Sequence, residues 1–247
     1  MRNGSGRRRR AAGVAAAGLA PLVAALVPVG GAVAQESVMP RFPYGTPVVV
    51  VPAQSVAATS PAAAVAAAGG GVSGEELLRT LDAELAFALG ERRGAGSWAL
   101  PEAVVRRAER NPTLRLDPRH LAYQGLLVEP DRRDQLYEPL HGELRVLAAL
   151  FDTRYVVLPV RLRLERDTAS AGAAGGPGGP DGEGDGEGDG KADGETPWRA
   201  RLLLALIDIR RSAVLWHGEV AGDPAPAGSP ALLASLAARV ARQVAPS

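Results

Sequence analysis

The sequence predicts an α/β fold: one mixed sheet with a C-terminal antiparallel three-strand meander, packed by helices. Three observations lead to this prediction. A long period-two strand pattern runs over 156–165, two more apolar strand patterns follow it in hairpin order, and amphipathic helical patterns lie on both sides of this meander. Helical and strand patterns in this arrangement are typical of a sheet covered by helices.

The first strand of the meander has the clearest pattern. Its apolar even positions are Val156, Leu158, Val160, Leu162 and Leu164, and its charged odd positions are Arg161, Arg163 and Glu165. This alternation predicts a strand with one buried face. The second strand is predicted over 198–209, the turn over 210–212 and the third strand over 213–220. On that third strand, Val214 and Trp216 are expected to share the core face.

Residues 1–34 are predicted to be an export signal. The arginines at 7–10 precede a weakly apolar stretch over 11–29, and Ala32-Val33-Ala34 fits the small-x-small cleavage rule. We therefore expect the mature chain to begin at Gln35. The alternative is an uncleaved membrane anchor, and membrane association is expected only in that case. Glycines and prolines within the apolar stretch make it a poor membrane span.

The mature chain is predicted to consist of a leader over 35–46 and a single α/β domain over 47–247. Within the domain, 53–71 is a low-complexity linker of Ala, Ser, Pro and Gly. Residues 167–196 form an insertion rich in Gly, Pro, Asp and Glu, with no apolar residue larger than alanine. Such a composition predicts a disordered, acidic hairpin tip between the first two meander strands.

Turn, capping and periodicity signals define the other elements. Four valines between Pro47 and Pro52 predict a strand that is covered on both faces. Ser73 and Glu76 have capping-box spacing, and a leucine stripe follows them. The remaining predictions are a strand over 97–100, a helix from Pro101, a short helix from Asp117-Pro118 through Tyr123, an irregular connection over 125–133, a helix from Pro139 to Phe151, and a final helix after Ser229-Pro230.

Composition excludes several classes of function. The chain has no cysteine, which excludes disulfides, thiolate metal sites, a cysteine nucleophile and a lipid-modified N-terminal cysteine. The formal net charge is +1, and no strand or helix pattern carries a continuous basic stripe. A nucleic-acid partner is therefore not expected. Hydrophobic residues make up 46% of the chain, enough for a packed core of Leu, Val and Ala.

No residue is predicted to be catalytic, to bind a cofactor or to hold a metal. The glycines over 69–74 match a dinucleotide-binding spacing, but no strand directly precedes them, so they are interpreted as linker glycines. The acidic repeat places no glutamate where a calcium loop needs its bidentate ligand. The three histidines, His120, His141 and His217, lack metal-binding spacing.

The alternative function is an exported hydrolase that uses Asp208, Ser212 and His217. All three lie on the predicted hairpin, without a nucleophile elbow or a glycine-rich oxyanion loop. The positions of the three side chains distinguish the two functions. Convergence in a concave pocket favours chemistry, and a spread along an exposed hairpin does not.

Two local motifs mark the predicted meander. One leads from the preceding helix into its first strand, Ala148-Ala-Leu-Phe-Asp-Thr-Arg-Tyr-Val-Val-Leu158, and the other forms its second hairpin, Ile207-Asp-Ile-Arg-Arg-Ser-Ala-Val-Leu-Trp216. Both motifs resemble those of the TolB N-terminal, CsgG and penicillin-binding-protein-activator group of small envelope α/β domains, with Arg211-Ser212 where the hairpin of that group has Thr-Gly. The resemblance implies an exported, non-catalytic protein of the periplasm or cell envelope. Its domain is expected to bind or scaffold another envelope protein without a cofactor.

Overall fold

A computed structural model describes residues 39–40, 42, 45–57, 70–92, 97–128, 135–167 and 196–245. The predicted export signal lies outside the described residues, as do most of the leader and nearly all of the acidic insertion. The elements below therefore belong to the region predicted to be the α/β domain.

A mixed sheet forms the centre of the fold. Its strands are β1 (Val48–Val50), β2 (Val56–Ala57), β3 (Tyr155–Arg166), β4 (Trp198–Asp208) and β5 (Ala213–Ala221). The strand order is β1-β3-β4-β5, and β1 and β2 both pair in parallel with β3. The β3–β4 and β4–β5 pairs are antiparallel. The predicted mixed sheet with a C-terminal meander is confirmed.

Five α-helices among the described residues cover the sheet. They are α1 (Gly74–Gly90), α2 (Pro101–Glu109), α3 (Gly125–Val128), α4 (Leu140–Leu150) and α5 (Ala231–Val244). The predicted capping box starts α1, where Glu76 N donates to Ser73 Oγ at 3.2 Å and Ser73 N donates to Glu76 Oε2 at 3.4 Å. Both bonds satisfy amides that the first helical turn leaves without partners.

The two faces of the sheet bury separate cores. In the first core, leucines of α1 and α5 pack on leucines of β3 and β4. In the second core, apolar residues of α2, α3 and α4 pack on the opposite face. Within β1, Val48 and Val50 belong to the first core, and Val49 belongs to the second. The prediction that this strand is covered on both faces is confirmed.

The predicted linker over 53–71 is ordered at its start. Ala53 N donates to Asp82 Oδ1 at 2.8 Å, and Leu162 N donates to Ser55 O at 2.8 Å. The second bond brings the chain alongside β3, where β2 begins at the next residue. For 53–57, the prediction of a loose connection is wrong. These residues are held by hydrogen bonds to residues far away in sequence, which a composition pattern does not reveal.

The predicted helix from Asp117 through Tyr123 is a turn in the structure. Leu121 N donates to Gln54 Oε1 at 2.8 Å. Because this amide is engaged there, it does not form the backbone hydrogen bond that a helix would need. A single helical turn, α3, follows at Gly125–Val128, within the connection predicted to be irregular. The predicted strand over 97–100 is reduced to one parallel bridge between Ala99 and Val49.

Two β-bulges change which side chains share a face. In β3 the register shifts between Pro159 and Arg161. Upstream of this shift Val156 packs in the second core, whereas Leu162 packs in the first core although both positions are even. The prediction of one apolar face along the whole strand is therefore wrong, because the bulge inserts one residue into the alternation.

The second bulge places Trp216 and Val214 on opposite faces. Leu206 pairs with Trp216 and Ile207 pairs with Val214, so that Leu215 is the extra residue. Val214 is buried in the second core, and Trp216 packs half-buried against the first core. The prediction that the two side chains share a face is wrong for the same physical reason as in β3.

Gly222 lies directly after β5, where the backbone of α5 approaches. A Cβ at this position would lie 2.8 Å from Ser235 Oγ and 3.0 Å from Leu236 N. Because Leu236 N is a backbone atom, α5 would have to move. We expect Gly222→Ala to lower the free energy of unfolding by about 1–3 kcal/mol, measured by urea unfolding.

The matched control for this substitution is Gly90→Ala. Gly90 is the last residue of α1, and an added Cβ would meet nothing within 4 Å. We expect this variant to be as stable as the wild type or slightly more stable. A Gly222→Ala variant with wild-type stability would show that α5 does not need this close approach.

Candidate protein-binding site

One half of the sheet face that carries the second core bears charged side chains that stay partly exposed. Direct cross-strand partners point to the same side of a sheet. The register therefore places on one side the pairs Arg161–Leu203, Arg163–Arg201 and Glu165–Arg199 of β3 and β4. Leu203 and Ala205 pair in turn with Glu219 and His217 of β5. We call the outward-facing set Arg161, Arg163, Glu165, Arg199, Arg201, Leu203, His217 and Glu219 the arginine face.

Most charges of the arginine face are neutralised locally. Arg163 Nη1 lies 3.6 Å from Glu219 Oε1, and Arg201 forms an ion pair with Glu165. At the end of the strands, Arg199 Nη2 lies 2.8 Å from Oδ2 of the buried Asp167. These half-buried pairs hold the side chains of neighbouring strands in fixed relative positions.

Arg161 differs from the other arginines of this face. This residue is half-buried, and its guanidinium has no ion pair or hydrogen bond to any of the described residues. It lines a cleft of about 390 Å³ beneath α3. The other lining residues are Leu126, Leu127, Arg163, Leu203, His217, Gly218 and Glu219. The cleft thus combines an unpaired cation with three leucines.

The structure does not bring Asp208, Ser212 and His217 together. Asp208 is only 1% exposed, and both of its oxygens accept hydrogen bonds from Arg154 Nε, at 2.9 and 3.0 Å. Hydrogen bonds from Arg154 hold the pKa of Asp208 below its usual range, despite the opposing effect of burial. His217 lines the cleft of the arginine face, whereas Ser212 lines a different one beside α4.

A different histidine contacts Ser212. Ser212 Oγ lies 2.8 Å from His141 Nε2, and His141 Nδ1 lies 3.4 Å from Glu138 Oε1. Sequence analysis missed this contact because 71 residues separate Ser212 from His141. By residue type, the three side chains match a nucleophile, a base and an orienting carboxylate.

The turn around Ser212 does not supply an oxyanion hole. Ser212 N donates to Ile209 O at 3.2 Å, and Arg211 N donates to Asp208 Oδ1 at 3.3 Å. The amides of Arg211 and Ser212 are therefore engaged within the turn and do not point to a developing oxyanion. We interpret the Ser212–His141 hydrogen bond as a structural link between α4 and the β4–β5 turn.

Asp82 forms a second buried polar centre. It is 7% exposed, accepts from Ala53 N at 2.8 Å and lies 3.3 Å from Arg119 Nη1. Burial raises the pKa of Asp82 to about 6, against the opposing effects of these two partners. Asp82 thereby joins α1 both to the segment before β2 and to the turn that precedes α3.

In the described parts of the chain, no group of three or more His, Asp and Glu side chains is arranged to hold a metal ion. No helix in those same ranges is both long enough and apolar enough to cross a membrane.

Comparison with known proteins gives distant structural similarity. No family model matches the sequence, and no curated protein matches it. The PelC dodecamer from Paraburkholderia phytofirmans is similar at 12% identity, over 84% of this chain and 94% of that chain, with a TM-score of 0.36. The C-terminal domain of LpoB from Salmonella enterica is similar at 13% identity, over 73% of this chain and 84% of that chain, with a TM-score of 0.33. Similarity of this degree carries no inference about function.

Proposed function

We propose that this chain is an exported, non-catalytic protein of the cell envelope, and that its α/β domain binds another envelope protein through the arginine face. One observation carries the binding part of the proposal: helices cover the two faces of the sheet unequally. On the first-core side Leu162, Leu202 and Leu204 are fully buried, whereas the arginine face on the other side is half-buried or exposed.

The chemistry of this face favours a protein partner. Arginines stand beside leucines of β4 and α3, and three of the four arginines are already held in place by carboxylates. Arginine is enriched at protein interfaces, and a cleft with apolar walls can hold a side chain of the partner. A face of this kind does not form a continuous basic track that would suit nucleic acid.

Export rests on the N-terminal sequence. The arginine cluster at 7–10, the apolar stretch and Ala32-Val33-Ala34 together have the order of a cleavable signal. The proposal places the mature protein in the periplasm or the cell envelope. N-terminal sequencing of protein recovered from the envelope fraction should give Gln35 first. Recovery with Met1 retained would contradict cleavage and indicate a membrane anchor.

The binding proposal is tested by photo-crosslinking in the native cell. A photoreactive amino acid replaces Leu203 or His217 on the arginine face, and in a control strain it replaces Arg79, an exposed residue of α1. We expect the same envelope protein to be captured from both positions on the face and not from position 79. The captured protein, once purified, should bind the wild-type chain and lose affinity for Leu203→Glu. Equal capture from all three positions would contradict the proposal.

The non-catalytic part has its own test. A fluorophosphonate probe reacts with serines that are activated by a neighbouring base. Since the amides near Ser212 are engaged, we expect the intact chain to stay unlabelled at this residue. Labelling that His141→Ala abolishes would favour hydrolysis instead.

A further inference from the structure

We infer that the arginine face binds a carboxylate of its partner peptide, and that the guanidinium of Arg161 is the group that receives it. The inference rests on the proposed function and specifies the chemistry of the bound segment. That segment carries an acidic side chain next to an apolar side chain.

The charge balance of the face supports an anion at Arg161. Each of the other three arginines has a carboxylate partner, and Glu219 and Glu165 are occupied by Arg163 and Arg201. Arg161 is half-buried and forms no ion pair with any described residue, and Glu219 in the same cleft is paired with Arg163. A guanidinium that is partly removed from water gains most from a planar, bidentate acceptor, and a carboxylate has that geometry.

The apolar residues that line the cleft favour a peptide ligand over a free inorganic anion. Leu126 and Leu127 of α3 and Leu203 of β4 all line the cleft. A small hydrated anion would leave these apolar surfaces in water. A carboxylate flanked by leucine or valine would cover them and gain the free energy of apolar burial as well.

The arginine positions also favour a single bound carboxylate rather than a long acidic tract. A polyanionic tract would need several unpaired cations along the face. Only Arg161 meets that description among the arginines of the arginine face, because the others are paired. The expected specificity is therefore for one acid in an apolar context.

The experiment is an NMR titration of the full chain that follows the arginine Nε–Hε signals. The probes are acetyl-Leu-Glu-Leu-amide, the matched acetyl-Leu-Gln-Leu-amide, and inorganic phosphate. We expect the glutamate peptide to shift the Arg161 signal and to bind at least about tenfold more tightly than the glutamine peptide. Phosphate that binds as tightly as the glutamate peptide would overturn the inference, since the leucines would then contribute nothing.

Matched variants separate charge from geometry. Arg161→Gln should abolish the preference for the glutamate peptide, and Arg161→Lys should retain only part of it because the bidentate fork is lost. Arg79→Gln removes an exposed arginine of α1 and should change nothing. A glutamate preference that survives Arg161→Gln would overturn the inference. So would the absence of binding by either peptide, whereas the crosslinking result would still decide the proposed function.

Discussion

Leu204→Ala should lower the free energy of unfolding by about 2–5 kcal/mol. Leu204 lies on β4, the strand between β3 and β5, and it is fully buried in the first core. Truncation removes apolar contacts and leaves a cavity between the sheet and the helices. Neither α1 nor α5 can close that cavity without losing its own packing. Urea unfolding followed by circular dichroism measures the loss.

The adjacent residue provides the control. Leu203 has the same side chain on the same strand, but it faces the cleft of the arginine face and is only half-buried. Leu203→Ala should therefore cost clearly less stability than Leu204→Ala, and it should weaken partner binding. Equal losses of stability from the two substitutions would contradict the assignment of Leu203 to a half-buried position and of Leu204 to a fully buried one.

Asp82→Asn should remove a pH dependence of stability. The pKa of Asp82 is raised from 3.8 to about 6 in the folded chain, chiefly by burial. Between these two values the folded chain binds more protons than the unfolded chain, so the free energy of unfolding falls as pH rises from 4 towards 6. A shift of this size corresponds to about 2 kcal/mol between pH 4 and pH 7.

The measurement is urea unfolding at pH 4, 5, 6 and 7 for the wild type and Asp82→Asn. The difference between the two chains isolates the contribution of Asp82 from other titrating groups. Asp208 contributes in the opposite direction, because its lowered pKa stabilises the fold above its usual pKa and that contribution is lost on acidification. An unchanged pH dependence in Asp82→Asn would show that Asp82 is not desolvated in the folded chain.

Local patterns predicted the long elements of the fold, but not β2, α3 or the sides that the strands present. The leucine stripe after Ser73 and the meander alternation lie where the structure has α1 and the β3–β5 strands. The bulges near Val160 and at Leu215 were not predictable, because neither is marked by a break in the local sequence pattern. Each is visible only in how its strand pairs with the neighbouring strand. Assigning a face to each side chain therefore required the register with the neighbouring strand.

The candidate site was less accessible to sequence reasoning than the fold. Alternation does indicate that Arg161 and Arg163 leave the core face of their strand. It does not show that Arg163 has Glu219 as a partner while Arg161 has none among the described residues, because these pairings cross from one strand to another. The link between His141 and Ser212 was hidden for the same reason: it joins residues brought together only by the folded sheet.

The parallel pairing of β1 with β3 has a consequence for the order of folding. Val48 pairs with Tyr155, a separation of 107 residues (155 − 48), whereas the strands of the meander are neighbours in the chain. Closing so long a loop costs conformational entropy before any contact compensates for it, and non-local pairings are generally slow to form. The pairing of β1 with the edge of β3 is therefore expected to form late in folding. Until then, the valine-rich segment at 48–51 has no strand to cover it.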